Sequence, residues 1–305
     1  MSAEYMVATY NLSKSYNSVY RVDTLNLNVR QGEIYGFLGP NGAGKSTSLK
    51  MLLGLTQPSG GRITLFGKEL SQHRISILSQ VGSLIESPSY YGHLTGLENM
   101  RVMKRLRGVP ERNIREALGI VRLEKHQHKR VDQYSLGMKQ RLGIAMALLA
   151  FPRLLILDEP TNGLDPAGIG EIRELIKSLP GRYGITVLIS SHLLSEIEQM
   201  ATSVGIIHEG KLLFQGDLTE LQARGQSSVS FTTQDAASAE SLLLASGFQP
   251  VNRQGRLHIE GMQDEQIAEA NRLLVSAGIP VIRIEEHKKS LEEIFLDLTG
   301  RERTL

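Results

Sequence analysis

The chain contains no cysteine. Disulfides, thiolate metal sites and cysteine nucleophiles are therefore excluded, a composition that suits a reducing compartment. Also missing is any apolar run near the roughly 18 residues that a membrane-spanning helix needs; Gly143 to Phe151 is among the longest. The opening Met1-Ser2-Ala3-Glu4-Tyr5 has neither the basic start nor the apolar core of a secretory signal. Work at a membrane would require a partner there. Net charge is small, at +2, but unevenly spread: residues 101–141 carry twelve Lys or Arg against four acids, and residues 226–305 eight against twelve. The basic stretch reads either as a solvated helical face or as a surface facing anionic lipid or an acidic partner. No aromatic interleaving or reader motif marks it for nucleic acid, and none is expected as a partner.

What is present is sharper. Gly39-Pro40-Asn41-Gly42-Ala43-Gly44-Lys45-Ser46-Thr47 fits G-x-x-x-x-G-K-[ST], with an apolar run before it and a helix-compatible run after it. Glycines let successive backbone N–H groups close around an anion, and the helix N-terminus adds its dipole. Lys45 is expected to reach the β and γ phosphates of a nucleotide, and the Ser46 hydroxyl to sit on Mg²⁺. Further on, Leu154-Leu155-Ile156-Leu157-Asp158-Glu159 is an apolar strand ending in two carboxylates. Such a strand delivers its last acid to the carboxyl edge of a sheet. Asp158 can then hold Mg²⁺, directly or through water, and Glu159 can take a proton from the attacking water or orient it.

Around these motifs the pattern predicts strands at Tyr5–Tyr10, Val22–Val29, Glu33–Leu38 and Arg62–Phe66, then a helical lobe over about 95–150. Thr95-Gly96-Leu97-Glu98 opens a helix as a capping box, and Gly108-Val109-Pro110 stops it. Strand and helix then alternate (Leu154–Leu157, Pro166–Leu179, Ile185–Ser190, Leu193–Met200), with Asp165-Pro166 as N-cap and first helical residue. A linker is expected at Arg224–Ser228. Beyond it the order β-α-β-β-α-β matches a small ferredoxin-like sandwich, with a last amphipathic segment at Leu291–Leu298. The division is thus 1–225 and 226–305.

Tyr134-Ser135-Leu136-Gly137-Met138, Gly163-Leu164-Asp165 and Ser190-Ser191-His192, in that order around the acidic strand, resemble the ATP-binding subunits of ABC transporters across roughly residues 4–224. The resemblance implies a RecA-like α/β P-loop NTPase fold with a mostly parallel sheet. To this it adds an antiparallel N-terminal β subdomain, an inserted helical lobe and the small C-terminal α+β domain. Tyr16 matches the residue that stacks on adenine, Ser135 and Gly137 the family signature Leu-Ser-Gly-Gly-Gln, Asp165 the D-loop and His192 the switch histidine. The implied catalytic set is Lys45, Glu159 and His192.

Two departures stand out. Leu136 and Met138 replace signature residues while Ser135 and Gly137 are kept. At the Q-loop, in Val81-Gly82-Ser83-Leu84-Ile85-Glu86-Ser87-Pro88, Glu86 occupies the usual glutamine position, with Gln80 a nearby alternative. A carboxylate only accepts hydrogen bonds and brings negative charge to the Mg²⁺ and nucleotide, so Glu86 joins both sets. Glu86, the Ser-Leu-Gly-Met signature and the C-terminal extension resemble the bacitracin-export and lantibiotic-immunity branch. That implies a Mg-ATP-dependent exporter subunit, peripheral at the cytoplasmic face of the membrane. It would pair with a second ATP-binding subunit, a further copy of this chain, and with separate polytopic membrane subunits. Two alternatives remain open: an ATP-gated sensor or immunity regulator that does not pump, and a non-transport ABC ATPase.

Overall fold

The computed structural model of the chain describes residues 5–86, 88–223, 228–287 and 290–300. The expected linker lies outside them except for Ser228. Two compact units meet between Leu218 and Thr219. The first opens with β1 (Tyr5–Tyr16), β2 (Val19–Leu25) and β3 (Asn28–Arg30), followed by β4 (Ile34–Leu38), α1 (Lys45–Leu52), β5 (Gly60–Leu65) and β6 (Lys68–Glu69). β1 runs six residues past Tyr10 because it has partners along its whole length, pairing antiparallel with β2, β3 and β5. The expected strand over Val22–Val29 is two strands. Thr24 takes φ +54, and the buried Thr9 hydroxyl bridges the break, donating to Leu25 O at 2.8 Å and accepting from Leu27 N at 2.7 Å.

After α2 (Leu70–Leu78) and β7 (Val81–Leu84) come the lobe helices α3 (Gly96–Arg107), α4 (Arg112–Ile120) and α5 (Leu136–Leu148). The capping box at α3 forms with Thr95 and Glu98 as its two halves. The chain returns through β8 (Leu154–Asp158), α6 (Pro166–Tyr183), β9 (Thr186–Ser191), α7 (Leu194–Met200), β10 (Ser203–His208) and β11 (Lys211–Asp217). α6 passes the expected stop at Leu179, carries Pro180 inside it, and ends where Gly184 adopts φ +66 as a left-handed cap.

The second sheet has the order β11-β10-β4-β9-β8-β7 and is parallel except for β11. Every residue of β4, β8 and β9 is buried, which accounts for their mostly apolar sequences. Their carboxyl ends line up: Leu38 pairs with Ser191, and Asp158 with Ser190. The segments that follow β4, β8 and β9 therefore start from one edge, where ligands bind in open α/β sheets.

The division between units falls at the start of α8 (Leu218–Ala223). In the second unit β12 (Ser228–Thr233), α9 (Ala236–Ala245), β13 (Val251–Arg253), β14 (Arg256–Glu260), α10 (Asp264–Ser276) and β15 (Val281–His287) form an antiparallel sheet of order β13-β14-β12-β15, with α11 (Leu291–Thr299) last. This is the ferredoxin-like order. Its hairpin turns on Gln254 and Gly255, both with φ above +50, as a two-residue primed turn requires. Its core gathers Val229, Phe231, Leu243, Leu257 and Leu274.

Candidate functional site

The loop from Gly39 to Gly44 is wedged between two backbones. A Cβ on Gly39 would lie 2.3 Å from the carbonyl oxygen of Ile207, and one on Gly44, at φ +110, 2.5 Å from that of Arg21. Only glycine fits either position. Lys45, the first residue of α1, is buried. Its ammonium donates to the carbonyls of Gly39 at 2.7 Å and Pro40 at 3.3 Å and lies 3.4 Å from Glu159 Oε1. Burying this charge is tolerable because carbonyls and a carboxylate surround it.

Asp158 is the last residue of β8 and is buried. Its Oδ1 accepts the Ser190 hydroxyl, whose oxygen accepts from Glu159 N at 3.1 Å. One serine thus orients both acids. Glu159 has φ +50, a left-handed conformation that carries a cost for a non-glycine residue. The carboxylate it presents also meets His192 Nδ1 at 2.6 Å through Oε2. Lys45, Glu159 and His192, from three separate connections, form one chain of contacts.

These three line a pocket of about 440 Å³ together with Tyr16, Asn41, Gly42, Gly44, Ser46 and Thr47. Gly39, Pro40 and Ala43 complete the loop behind it. Tyr16 ends β1 half-exposed, with the Lys14 ammonium 4.8 Å from its ring centroid. Glu86 lies just past the carboxyl end of β7, on the Asp158 edge, whereas Gln80 precedes β7 at the opposite edge and donates to Ser76 O. The two Q-loop alternatives thus lie at opposite ends of β7. Glu86 does not line the pocket. It accepts from Lys50 Nζ at 2.7 Å, and that hydrogen bond, then the Lys50 charge, holds its carboxyl below the ordinary value of 4.5.

Ser135, Gly137 and Asp165 are not brought to the pocket. Ser135 caps α5, accepting from Met138 N at 3.3 Å, and Asp165 caps α6, accepting from Gly168 N at 3.1 Å. Leu136 lies over the turn at Gly163, where an added Cβ would be 3.3 Å from its Cδ2. Arg21 and Asn162 line the pocket without having been singled out by sequence. Neither were Ser190, Lys50 and Glu196, which act through contacts made only in three dimensions. Among the described residues no cluster of three or more His, Cys, Asp or Glu is arranged to hold a metal, and no helix is long and apolar enough to cross a membrane.

Residues 22–162 match the family model for ABC transporters. The bacitracin transport ATP-binding protein BcrA of Bacillus licheniformis is 46% identical over 300 residues, 97% of each chain. The chain belongs to the ABC transporter family. A lantibiotic transport ATP-binding protein of Streptococcus pyogenes, SrtF, is 46% identical over 69% of this chain and 90% of its own. Among solved structures, an ATP-binding subunit of an ABC transporter superposes with TM-score 0.65 at 30% identity, over 72% of this chain and 92% of its own. A dimeric bacterial ABC transporter cassette gives 0.64 at 25%, over 70% and 99%. As a member of the ABC family the protein is a nucleotide-binding ATPase with the P-loop NTPase fold expected from the sequence.

Proposed function

We propose that this ABC ATPase is the membrane-peripheral subunit of an exporter, working at the cytoplasmic face. Two copies would pair head-to-tail over Mg-ATP. Their closure would drive a peptide antibiotic, lantibiotic or related amphiphile through separate polytopic membrane subunits. The observation that carries this reading is the 46% identity to the bacitracin transport ATP-binding protein across 97% of both chains.

Within that pair each substrate ATP has a role for every residue singled out. Tyr16 stacks on adenine. Backbone N–H groups of Gly39 to Thr47 and the Lys45 ammonium grip the phosphates. Glu159 takes the proton of the water that attacks the γ phosphorus while the β-phosphate oxygen of ADP leaves. With Nδ1 engaged by Glu159, Nε2 is the His192 nitrogen left for the γ phosphate. Ser135 and Gly137, with Asp165, face the nucleotide held by the other subunit, in keeping with their distance from the pocket of their own chain.

A Mg²⁺ fits the donor set by its chemistry. One serine hydroxyl, Ser46, and one buried carboxylate, Asp158, offer hard oxygens, and Mg²⁺ keeps water and phosphate oxygens for the rest. Glu86 would add negative charge near the ion, with Lys50, its hydrogen-bond partner, offsetting it. When bound, the ion neutralises charge on the phosphate oxygens.

Bacterial tolerance to bacitracin and to a lantibiotic tests the reading, with the chain coexpressed with candidate polytopic membrane subunits. Tolerance should rise with the wild type and not with Glu159→Gln. Unchanged tolerance, with ATP turnover indifferent to either antibiotic, would favour the ATP-gated regulator instead.

A further inference from the structure

Glu159 and His192 lie on different connections, β8 to α6 and β9 to α7. A third side chain joins these connections. Glu196, on α7, is buried. Its Oε2 accepts the Thr161 hydroxyl at 2.6 Å and the Ser191 hydroxyl at 3.0 Å. Thr161 is two residues beyond Glu159, and Ser191 immediately precedes His192. Both clamped residues are themselves built into turns. Thr161 O accepts from Leu164 N at 3.2 Å, and Ser191 Oγ accepts from Leu193 N at 3.0 Å.

A carboxylate withdrawn from water is unfavourable unless hydrogen bonds satisfy it, and an apolar side chain would fill the same space without that cost. What the acid provides is a fixed distance between two backbone segments. Both hydroxyls converge on one oxygen, so neither connection can slide relative to the other without breaking a short bond. Those segments carry the two groups whose separation, 2.6 Å, sets the Glu159–His192 contact.

We propose that Glu196 is a positioning residue for ATP hydrolysis. By clamping Thr161 to Ser191 it holds Glu159 and His192 at working distance. The inference rests on the roles given to Glu159 and His192 above. Glu196 touches neither of them and does not line the nucleotide pocket, so its loss should be felt in turnover and not in ATP affinity.

The test compares steady-state turnover and equilibrium ATP binding of the full chain as wild type, E196A, E196Q, H192A and the E196A/H192A double variant. Misplacing reacting groups by about 1 Å costs up to ~10²-fold in rate, so E196A should lower kcat by about tenfold or more with ATP affinity retained. E196Q, which keeps an oxygen able to accept both hydroxyls, should recover most of that loss. In the H192A background E196A should cost little further, because a residue acting through His192 has nothing left to position. Wild-type turnover by E196A while H192A is slow would overturn the proposal. So would losses in E196A and H192A that simply multiply, the mark of a general folding defect. Wild-type turnover by H192A would instead sink the His192 assignment, and the proposal with it. Should E196A fail to fold, Thr161→Val removes one clamp bond at nearly constant volume and should lower kcat in the same way; wild-type kcat there would also overturn the proposal.

Discussion

Oε2 of Glu159 lies 2.6 Å from His192 Nδ1, while Oε1 of the same carboxylate lies 3.4 Å from Lys45 Nζ. One acid therefore faces both Lys45 and His192. If that acid is the base, Glu159→Gln should bind ATP, hold the closed pair longer and lose turnover by ~10²–10⁴-fold. Phosphate release and sedimentation of the variant in ATP check this, and undiminished hydrolysis would remove Glu159 from the role.

Lys45 sits with its ammonium against the Gly39 and Pro40 carbonyls, and the proposed function has it exchange them for phosphate oxygens. Lys45→Ala should abolish measurable ATP binding by calorimetry while the fold survives. Retained affinity would count against the phosphate assignment.

Ser190 serves both acids with one hydroxyl, donating to Asp158 and accepting from Glu159 N. Ser190→Ala should leave a buried carboxylate oxygen short of a partner and cost about 1–3 kcal/mol of stability. Turnover should fall as well, since the left-handed Glu159 backbone loses one of its restraints. Chemical denaturation together with steady-state kinetics would detect both effects.

Glu86 has its pKa lowered by the Lys50 hydrogen bond and charge, and Lys50 has its pKa raised by Glu86. A depressed carboxyl favours the folded state above its unfolded pKa and loses that contribution as pH falls through the folded one. The pair should therefore hold at neutral pH and part only below the ordinary 4.5 of a glutamate. Carboxyl-carbon NMR of Glu86 would follow the titration, and Lys50→Met should return it toward the ordinary value. Glu86→Gln should alter the Mg²⁺ dependence of turnover, or its coupling to transport, more than nucleotide affinity.

Much of this is legible in the sequence alone. The P-loop, the Asp158-Glu159 strand end, the Thr95–Glu98 capping box and the Asp165-Pro166 helix start are local patterns, and each forms where its residues predict. The ferredoxin-like order could be read because its turns carry Gly or Asp signals. No element is predicted over residues 67–94 and 201–223, where α2, β6, β7, β10, β11 and α8 form. α2 buries only Leu70 and Ile77, so no apolar stripe announces it, and β7 is four residues long with a glycine inside. Ser190, Lys50 and Glu196 stayed hidden for a different reason. Each works by meeting a residue 31 or more positions away, and no spacing rule encodes that meeting. The frame of the motif makes Glu86 a candidate, but no spacing rule points to its partner Lys50.

The central claim is that the P-loop of one subunit and the Ser135 region of its partner enclose the same ATP. Mixing two variants tests it directly: Lys45→Ala and Ser135→Arg, both in a Glu159→Gln background so that ATP is retained and not turned over. Each variant alone should fail to trap ATP. In a mixed pair one site takes both lesions and the other takes neither, so the mixture should trap radiolabelled ATP and run as a dimer. A mixture that traps no more than either variant alone would mean that both elements act within one chain, and the composite site would be wrong.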